Sequence, residues 1–305
     1  MSYRLTDWLA RKGVVSLFRR IELGKYFSHW QSNGYHVLPV HYYSPIPNTN
    51  DLPEDLWDKM TPLRGVDMCD KEQLEFMQTS VLVFQSEFDV FPDKPGENPS
   101  VYYHNNAFFV GADALVLYSL VRSLKPRRII EVGSGFSTRI ILHALDHNEG
   151  GELTCIEPYP DAILDNHPGI THLIRKRVQD VDIVLFDDLG MNDILFIDST
   201  HTVKTGSDVV FLFLEVLPRL KPGVVIHVHD IFIPRDYPKD WIMKAHMFSN
   251  EQYLLQAFMQ YNDTFQVMFC SAYMTIRYQQ EVQNLFGKYP RWNEGCSWWM
   301  RKVNN

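Results

Sequence analysis

Short apolar runs alternate with segments of helical spacing along the last two thirds of the chain. The runs predict strands at residues 128–130, 152–157, 172–175, 194–198, 224–229, 265–271 and 297–303. Most of the segments between them repeat their apolar positions at the spacing of a helix. Because strands that alternate with helices form βαβ units, the pattern predicts an α/β fold with a mostly parallel, doubly wound sheet of seven strands.

Two further features concern the helix before the first strand and the pairing of the last two strands. Between residues 106 and 124 apolar side chains recur at helical spacing, and Pro126 ends this helix just before the first strand. An irregular stretch, residues 283–294, separates the last two strands, so we expect them to pair as an antiparallel edge. The helix should pack beside the ligand site that the first strand forms.

The first hundred residues have a different composition from the rest. They are rich in proline, aromatic residues and acids, with turn signals at residues 45–50 and 92–99. We therefore expect an N-terminal helical extension, or cap, over residues 1–100 and the α/β domain over residues 101–305. Within the extension, residues 4–26 predict a basic amphipathic helix, which we expect to dock onto the domain or a partner subunit rather than a membrane.

Composition narrows the function classes. The chain of 305 residues is 45% apolar, which is enough for one large core with an added cap. A net charge of −8 argues against nucleic acid as the partner. The four cysteines are widely spaced without a C-x-x-C pair, which favours a reducing compartment and no zinc site. Since neither a membrane-spanning run nor a signal peptide is recognisable, we expect a cytoplasmic protein without stable membrane insertion.

A glycine turn is the most informative motif. Glu131-Val132-Gly133-Ser134-Gly135 follows the first predicted strand and precedes a helical segment. A strand, a glycine turn and a helix together form a nucleotide cradle, because glycine permits a tight turn and close approach of a ligand. The third glycine of the dinucleotide fingerprint is missing, since Ser137 or Thr138 stands there. Glu157 ends the second strand 22 residues beyond Gly135, at the distance expected of a residue that binds a ribose.

The order of these motifs, with Asp198 at the end of a further strand, resembles that of class I S-adenosylmethionine-dependent methyltransferases from residue 102 to about residue 303. A bacterial subgroup that methylates small molecules is similar more narrowly, at residues 41–47, 105–109, 113–114, 197–201, 228–231 and 295–301. The resemblance implies a Rossmann-like fold with an antiparallel edge strand. It also implies S-adenosylmethionine as the cofactor.

The resemblance also implies which residues bind this cofactor. The turn with Gly133, Ser134 and Gly135 would pass under the methionine part, and Glu131 would meet the ammonium group directly or through water. Glu157 would accept hydrogen bonds from both ribose hydroxyls.

Four further residues match cofactor positions less specifically. Gln179 and Asp180 stand where related enzymes contact the adenine, although an ordinary polar loop would have the same sequence. Asn106 and Asp113 resemble positions near the methionine end, and Asp113 equally fits a carboxylate on a helix face.

The chemistry is expected at Asp198, His201 and Asp230, which follow two strands whose ends should converge. In one hypothesis His201 is the general base for a substrate hydroxyl, since the imidazole pKa lies close to the working pH. In the other, Asp198 and Asp230, with His229, bind Mg²⁺ or a similar hard cation that lowers the pKa of a coordinated hydroxyl. Catechol-type relatives have an asparagine where Ile231 stands, so metal dependence stays open.

We therefore predict a methyltransferase of small molecules, most simply at an oxygen of a sugar or other secondary metabolite, with nitrogen as the second acceptor. The loop of residues 232–241 and the N-terminal cap are expected to contact the acceptor. Two other classes stay open, an NAD-dependent oxidoreductase and a non-catalytic cofactor-binding protein. The first is disfavoured by the missing third glycine and by Glu131. The acceptor itself and association into a homo-oligomer are not fixed by the sequence.

Overall fold

The computed structural model describes residues 8–18, 23–165 and 167–304 of the chain, which divides into two compact units between Glu54 and Asp55. In the first unit the described residues form short helical segments, at Leu9–Gly13, Val14–Phe18, Leu23–Tyr26, Phe27–Ser32 and Thr49–Asp51. Part of the predicted amphipathic helix, residues 4–7 and 19–22, lies outside the described residues. Of its described apolar members, Trp8 and Leu17 are exposed.

Seven strands of the second unit form one sheet. They are β1 (Arg128–Val132), β2 (Glu152–Ile156), β3 (His172–Ile174), β4 (Ile194–Ile197), β5 (Val225–Val228), β6 (Phe265–Cys270) and β7 (Trp298–Lys302). Their order is β3-β2-β1-β4-β5-β7-β6, with β7 antiparallel to both of its neighbours and the other pairs parallel. The predicted doubly wound sheet with antiparallel pairing at one edge is confirmed, and strand ends shift by no more than two residues.

Central strands of this sheet are buried on both faces, which is why they read as continuous apolar runs. Successive side chains point to opposite faces, so Ile129 and Phe196 join the core on one side. Ile130 and Leu195 join the core on the other. This alternation fixes the register that brings the carboxyl ends of β1, β4 and β5 together.

Helices cover both faces of the sheet. The α-helical segments of the second unit are Asp70–Phe76, Leu82–Phe88, Gly111–Leu124, Phe136–His147, Asp208–Phe211, Leu217–Arg219, Glu251–Met259, Ser271–Arg277 and Gln279–Phe286, with shorter 3₁₀ and π turns between some of them. The helix predicted from residue 106 begins instead at Gly111, because the Asn106 side chain closes a turn by accepting from the backbone N–H groups of Phe108 and Phe109 at 2.9 and 2.8 Å. No described helix has the length and apolar character needed to cross a membrane.

The segment of residues 70–88 belongs to the second unit. Met77, Val81 and Phe88 are buried in the same core as the helix Gly111–Leu124. Burial of these apolar side chains joins the segment to the compact unit that begins at Asp55, and the domain boundary that composition predicted near residue 100 stays a prediction.

Candidate active site

The glycine turn, residues 131–135, connects β1 to the helix Phe136–His147. Gly133 has φ +87°, and a Cβ atom added there would collide with the carbonyl oxygen of Asp198. The Gly133 N–H donates to Ile156 at 3.0 Å, and the Asp198 N–H donates to Val132 at 2.9 Å. Glycine is therefore required at this position, and its absent side chain lets the end of β4 lie against the turn.

Glu131 lies under this turn and is fully buried. Its carboxylate accepts from Ser137 Oγ at 2.7 Å, Thr138 Oγ1 at 2.8 Å and Cys155 Sγ at 3.4 Å. Burial raises the pKa of Glu131 to about 7, although the two hydroxyls oppose that shift. Glu131 thus fixes the start of the following helix, and its contact with a cofactor ammonium group stays a prediction.

A cavity of about 470 Å³ opens beside the turn, lined in part by Ser134, Gly135, Arg139 and Asp161. The hydroxyl of Ser134 is buried and has no hydrogen-bond partner among the described residues, and the same holds for Nε of Arg139. The Arg139 guanidinium stacks 4.2 Å above the ring of Phe136. A buried polar atom without a hydrogen bond raises the free energy of the folded state. A polar ligand in the cavity could supply the missing partners of these two atoms.

The residues predicted to bind ribose and adenine lie along the same edge of the sheet, but none of them lines this cavity in the described part of the chain. Glu157 accepts from the backbone N–H of Tyr159 at 2.8 Å. Gln179 donates to the carbonyl of Gly206 at 3.2 Å, and its buried Oε1 atom has no partner among the described residues. Asp180 is exposed and pairs with Arg177 at 2.7 Å. Their contacts with a cofactor stay predictions.

His201 occupies the centre of the second candidate region, the histidine loop of residues 198–203. Its Nε2 atom lies 3.3 Å from Asp198 Oδ1 and 3.3 Å from Asp230 Oδ2. Its Nδ1 atom lies 2.9 Å from Glu251 Oε2. The structure therefore brings together the three residues for which chemistry was predicted, and it adds a fourth.

Backbone geometry marks the same place. His201 has φ +55° and Asp230 has φ +57°, so both adopt the left-handed conformation that side chains usually avoid. Such conformations persist where the surrounding structure holds them, and they cluster at functional sites. The carbonyl of His201 is held by the N–H groups of Asn250 and Glu251, at 3.0 and 3.2 Å.

The charges around His201 favour its protonated form. Burial by itself would lower its pKa, but hydrogen bonds to Asp198 and Glu251 and the charge of Asp230 outweigh burial and raise the pKa of His201 well above the ordinary imidazole value. Burial would likewise raise the pKa of Asp198, yet His229 and His201 together lower it to about 2. The carboxylates around His201 therefore favour the imidazolium form of its side chain.

Glu251 is the functional candidate that the sequence did not indicate. It is fully buried at the first position of the helix Glu251–Met259, 50 residues from its histidine partner. An acid in the first turn of a helix is common, because it interacts favourably with the helix dipole. Its sequence context therefore carries no signal for the pairing with His201, which tertiary contacts alone create.

The remaining predicted residues are used for structure. The amide of Asn106 donates to the carbonyls of Tyr103 and Phe109 at 2.8 and 3.1 Å. Asp113 is buried and accepts from Ser271 Oγ at 2.5 Å and from the backbone N–H groups of Cys296 and Ser297 at 2.8 and 3.1 Å. Their predicted contacts with the cofactor are therefore additional to these bonds and stay predictions.

A second cavity of about 890 Å³ adjoins the first. Both are lined by Phe108, His229, Asp230 and Trp241. The loop predicted to contact the acceptor supplies residues 232 and 235–241 to the larger cavity. Asp230 therefore lies where ligands in the two cavities would meet.

Known proteins resemble this chain in sequence and fold. A family model described as a methyltransferase domain matches residues 130–231, a span that contains the glycine turn and the histidine loop. An uncharacterized protein of Archaeoglobus fulgidus is 35% identical over 169 residues, which make up 50% of this chain and 74% of the relative.

Two solved structures illustrate the likeness in fold. The O-methyltransferase TomG from Streptomyces achromogenes, in complex with SAM, is 16% identical, with a TM-score of 0.38 over 77% of this chain and 96% of that one. An O-methyltransferase from Bacillus cereus, in complex with SAH, is 11% identical, with a TM-score of 0.36 over 76% of this chain and 96% of that one.

Proposed function

We propose that the chain is a class I S-adenosylmethionine-dependent methyltransferase, in line with the methyltransferase-domain model that matches residues 130–231, and that it methylates a hydroxyl oxygen of a small molecule, a sugar or other secondary metabolite. The observation that carries the proposal is the position of His201. Its Nε2 atom lies 3.3 Å from both Asp198 and Asp230, and these two carboxylates line the smaller cavity. Asp230 also lines the larger one.

The smaller cavity fits S-adenosylmethionine, which when bound supplies an electrophilic methyl group. Ser134 and Gly135 of the glycine turn line this cavity, and the unpaired Ser134 hydroxyl offers a hydrogen bond. Arg139 offers a cation to the carboxylate of the methionine part. Glu157, at the end of β2, would bind the ribose. These residues would hold the cofactor next to the larger cavity, with which the smaller one shares Asp230.

His201 acts as the general base for the acceptor hydroxyl. Three carboxylates stabilise its protonated form, so the neutral imidazole is a stronger base than an isolated histidine. Glu251 fixes the ring through Nδ1, which leaves Nε2 directed toward Asp198 and Asp230. Since the pKa of His201 is raised, we expect kcat/KM to rise as the pH increases beyond the ordinary imidazole range.

The proposed reaction uses no Mg²⁺ between Asp198 and Asp230. The Nε2 atom of His201 lies within 3.3 Å of both carboxylates, so a protonated histidine already supplies their positive charge. The side chains next to Asp230 include the thiol of Cys296 at 3.4 Å and the imidazole of His229 at 3.8 Å, donor types that Mg²⁺ does not prefer. No step proposed here uses this ion.

The test combines cofactor binding with transfer. Calorimetric titration with S-adenosylhomocysteine should give binding to the wild type, weakened in Glu157→Ala. A screen of hydroxylated acceptors, read by mass spectrometry, should then detect a gain of one methyl group on oxygen rather than nitrogen.

The His201→Gln variant should bind S-adenosylhomocysteine normally but lose about 10²- to 10⁴-fold in kcat. His172→Gln, an exposed histidine of β3, is the matched control and should retain full activity. Unchanged turnover in His201→Gln would overturn the assigned base. Failure of the wild type to bind S-adenosylhomocysteine would overturn the proposed function itself.

A further inference from the structure

Three buried side chains of different chemistry meet at the wall of the larger cavity. Asp113, His229 and Cys296 are 3%, 6% and 8% exposed. A carboxylate oxygen, an imidazole nitrogen and the thiol sulfur all lie within 4.8 Å of one another. All three residues line the cavity, so an ion or molecule inside it can reach them.

The distances suit a small ion. Cys296 Sγ lies 3.8 Å from His229 Nε2 and 3.4 Å from Asp230 Oδ1. In a tetrahedral zinc site with a sulfur ligand at about 2.3 Å and a nitrogen ligand at about 2.0 Å, those two ligand atoms lie roughly 3.5 Å apart. The observed separation of sulfur and nitrogen therefore needs to shorten by a few tenths of an ångström.

Hydrogen bonds hold the residues of the cluster in place. Asp113 holds the loop that carries Cys296, because its Oδ2 atom accepts the Cys296 N–H and its Oδ1 atom accepts from Ser271 and Ser297. Gly295 permits this approach, since a Cβ atom there would lie 2.7 Å from the Cβ of Ser271.

The ring of His229 is also held by its neighbours. Its ring packs on Phe109 with centroids 4.9 Å apart, and its Nδ1 atom is buried without a partner among the described residues. The other ring nitrogen, Nε2, faces the Cys296 thiol at 3.8 Å and is the nitrogen available to a metal.

We propose that Asp113, His229 and Cys296 bind a divalent transition metal that prefers thiolate and imidazole ligands, with Zn²⁺ first among them, and that the fourth position faces the larger cavity. Sulfur and nitrogen donors select such metals over Mg²⁺. On binding, the Cys296 S–H bond breaks, its proton passes to solvent by way of Asp230, and the thiolate bonds the metal. The site stands independently of the proposed methyl transfer.

The topology explains why cysteine spacing predicted the opposite. His229 follows β5 and Cys296 precedes β7, and these strands pair antiparallel from Val225–Arg301 to Val228–Trp298. The end of one strand therefore meets the start of the other, although the two residues are 67 positions apart. Asp113 lies in the helix Gly111–Leu124, so the three residues come from distant parts of the sequence and form no local sequence motif.

Cobalt is the probe for this site. The full chain, stripped with a chelator and titrated with Co²⁺, should develop a thiolate-to-cobalt charge-transfer band together with the visible bands of tetrahedral cobalt. Zn²⁺ should displace the cobalt, and excess Mg²⁺ should not. Cys296→Ser should lose the charge-transfer band, whereas Cys69→Ser, an equally buried cysteine outside the cluster, should retain it.

A second variant guards against the case in which Cys296→Ser loses the band only because it does not fold. His229→Gln keeps the thiol and should weaken cobalt binding by at least about 10-fold, as loss of a zinc ligand or its support does. The inference is overturned by a wild type without the charge-transfer band, by a band that persists in Cys296→Ser, or by one that Cys69→Ser abolishes equally.

Discussion

The glycine turn and the histidine loop each depend on a fully buried glutamate, but the partners of the two differ. Glu131 receives hydroxyl and thiol donors, at 2.7, 2.8 and 3.4 Å. Glu251 pairs instead with the imidazole of His201, at 2.9 Å. Neutral donors anchor a helix without moving a proton, whereas the imidazole of His201 connects Glu251 to Asp198 and Asp230, which line the smaller cavity. A buried glutamate thus stabilises the start of a helix in the glycine turn, whereas in the histidine loop a buried glutamate raises the pKa of a histidine.

The largest effect is expected at the glycine turn. Gly133→Ala places a Cβ atom against the carbonyl of Asp198 and keeps a positive φ. We expect a loss of about 3 kcal/mol or more in the free energy of unfolding, measured with urea, together with loss of S-adenosylhomocysteine binding. Gly135→Ala is the matched control for stability alone, because no other atom lies within 4 Å of its added Cβ atom. Equal stability of the two variants would contradict the close approach.

Glu131→Gln should change how stability depends on pH. The folded pKa of Glu131 is about 7, above its ordinary value of 4.5, so the folded state holds an extra proton between these values and stability falls as the pH rises from 4.5 to 7. This window accounts for up to about 3 kcal/mol, and the variant should lack it.

The stability added by protonated His201 occupies a different window. Because the folded pKa of His201 is raised, that contribution is present below the unfolded value of about 6.5 and is lost as the pH rises through the folded value. Glu131→Gln should leave this alkaline loss in place. Urea titrations of both proteins across the pH range separate the windows, and identical curves would refute the assignment to Glu131.

A smaller effect is expected at the histidine loop from Glu251→Gln, which keeps the shape of the side chain and removes its charge. The pKa of His201 should fall, which weakens the base, so we expect kcat to drop about 10- to 100-fold and the acid limb of the pH profile to move to lower pH. Glu281→Gln, an exposed glutamate of the helix Gln279–Phe286, is the control. An unmoved pH profile would mean that Glu251 has a structural role alone.

The smallest effect on stability is expected at Asp180, an exposed residue paired with Arg177. Asp180→Asn should leave the urea midpoint unchanged, because exposed ion pairs contribute little. Calorimetry then sharpens the comparison. A weaker affinity for S-adenosylhomocysteine would support the predicted adenine contact, whereas unchanged affinity would favour an ordinary polar loop.

The sequence predicted the sheet well because its central strands are buried on both faces and read as apolar runs. Asp198 and Asp230 could be placed together because parallel strands end at a common edge. The predicted start of the helix before β1 lay five residues too early. The hydrogen bonds of the Asn106 side chain form a turn there, and the apolar spacing of the sequence does not reveal such bonds. Glu251 and the cluster at Cys296 could not be predicted, because they come from tertiary pairings of distant segments.

The most direct test of the account is an NMR titration of His201 in wild type and Glu251→Gln, with the signal identified by its absence in His201→Gln. It requires no knowledge of the acceptor. We predict that the wild-type imidazole titrates well above the ordinary histidine value and that Glu251→Gln lowers this pKa. A wild-type His201 that titrates at or below the ordinary value would contradict the claim that three carboxylates hold a strong base in the histidine loop.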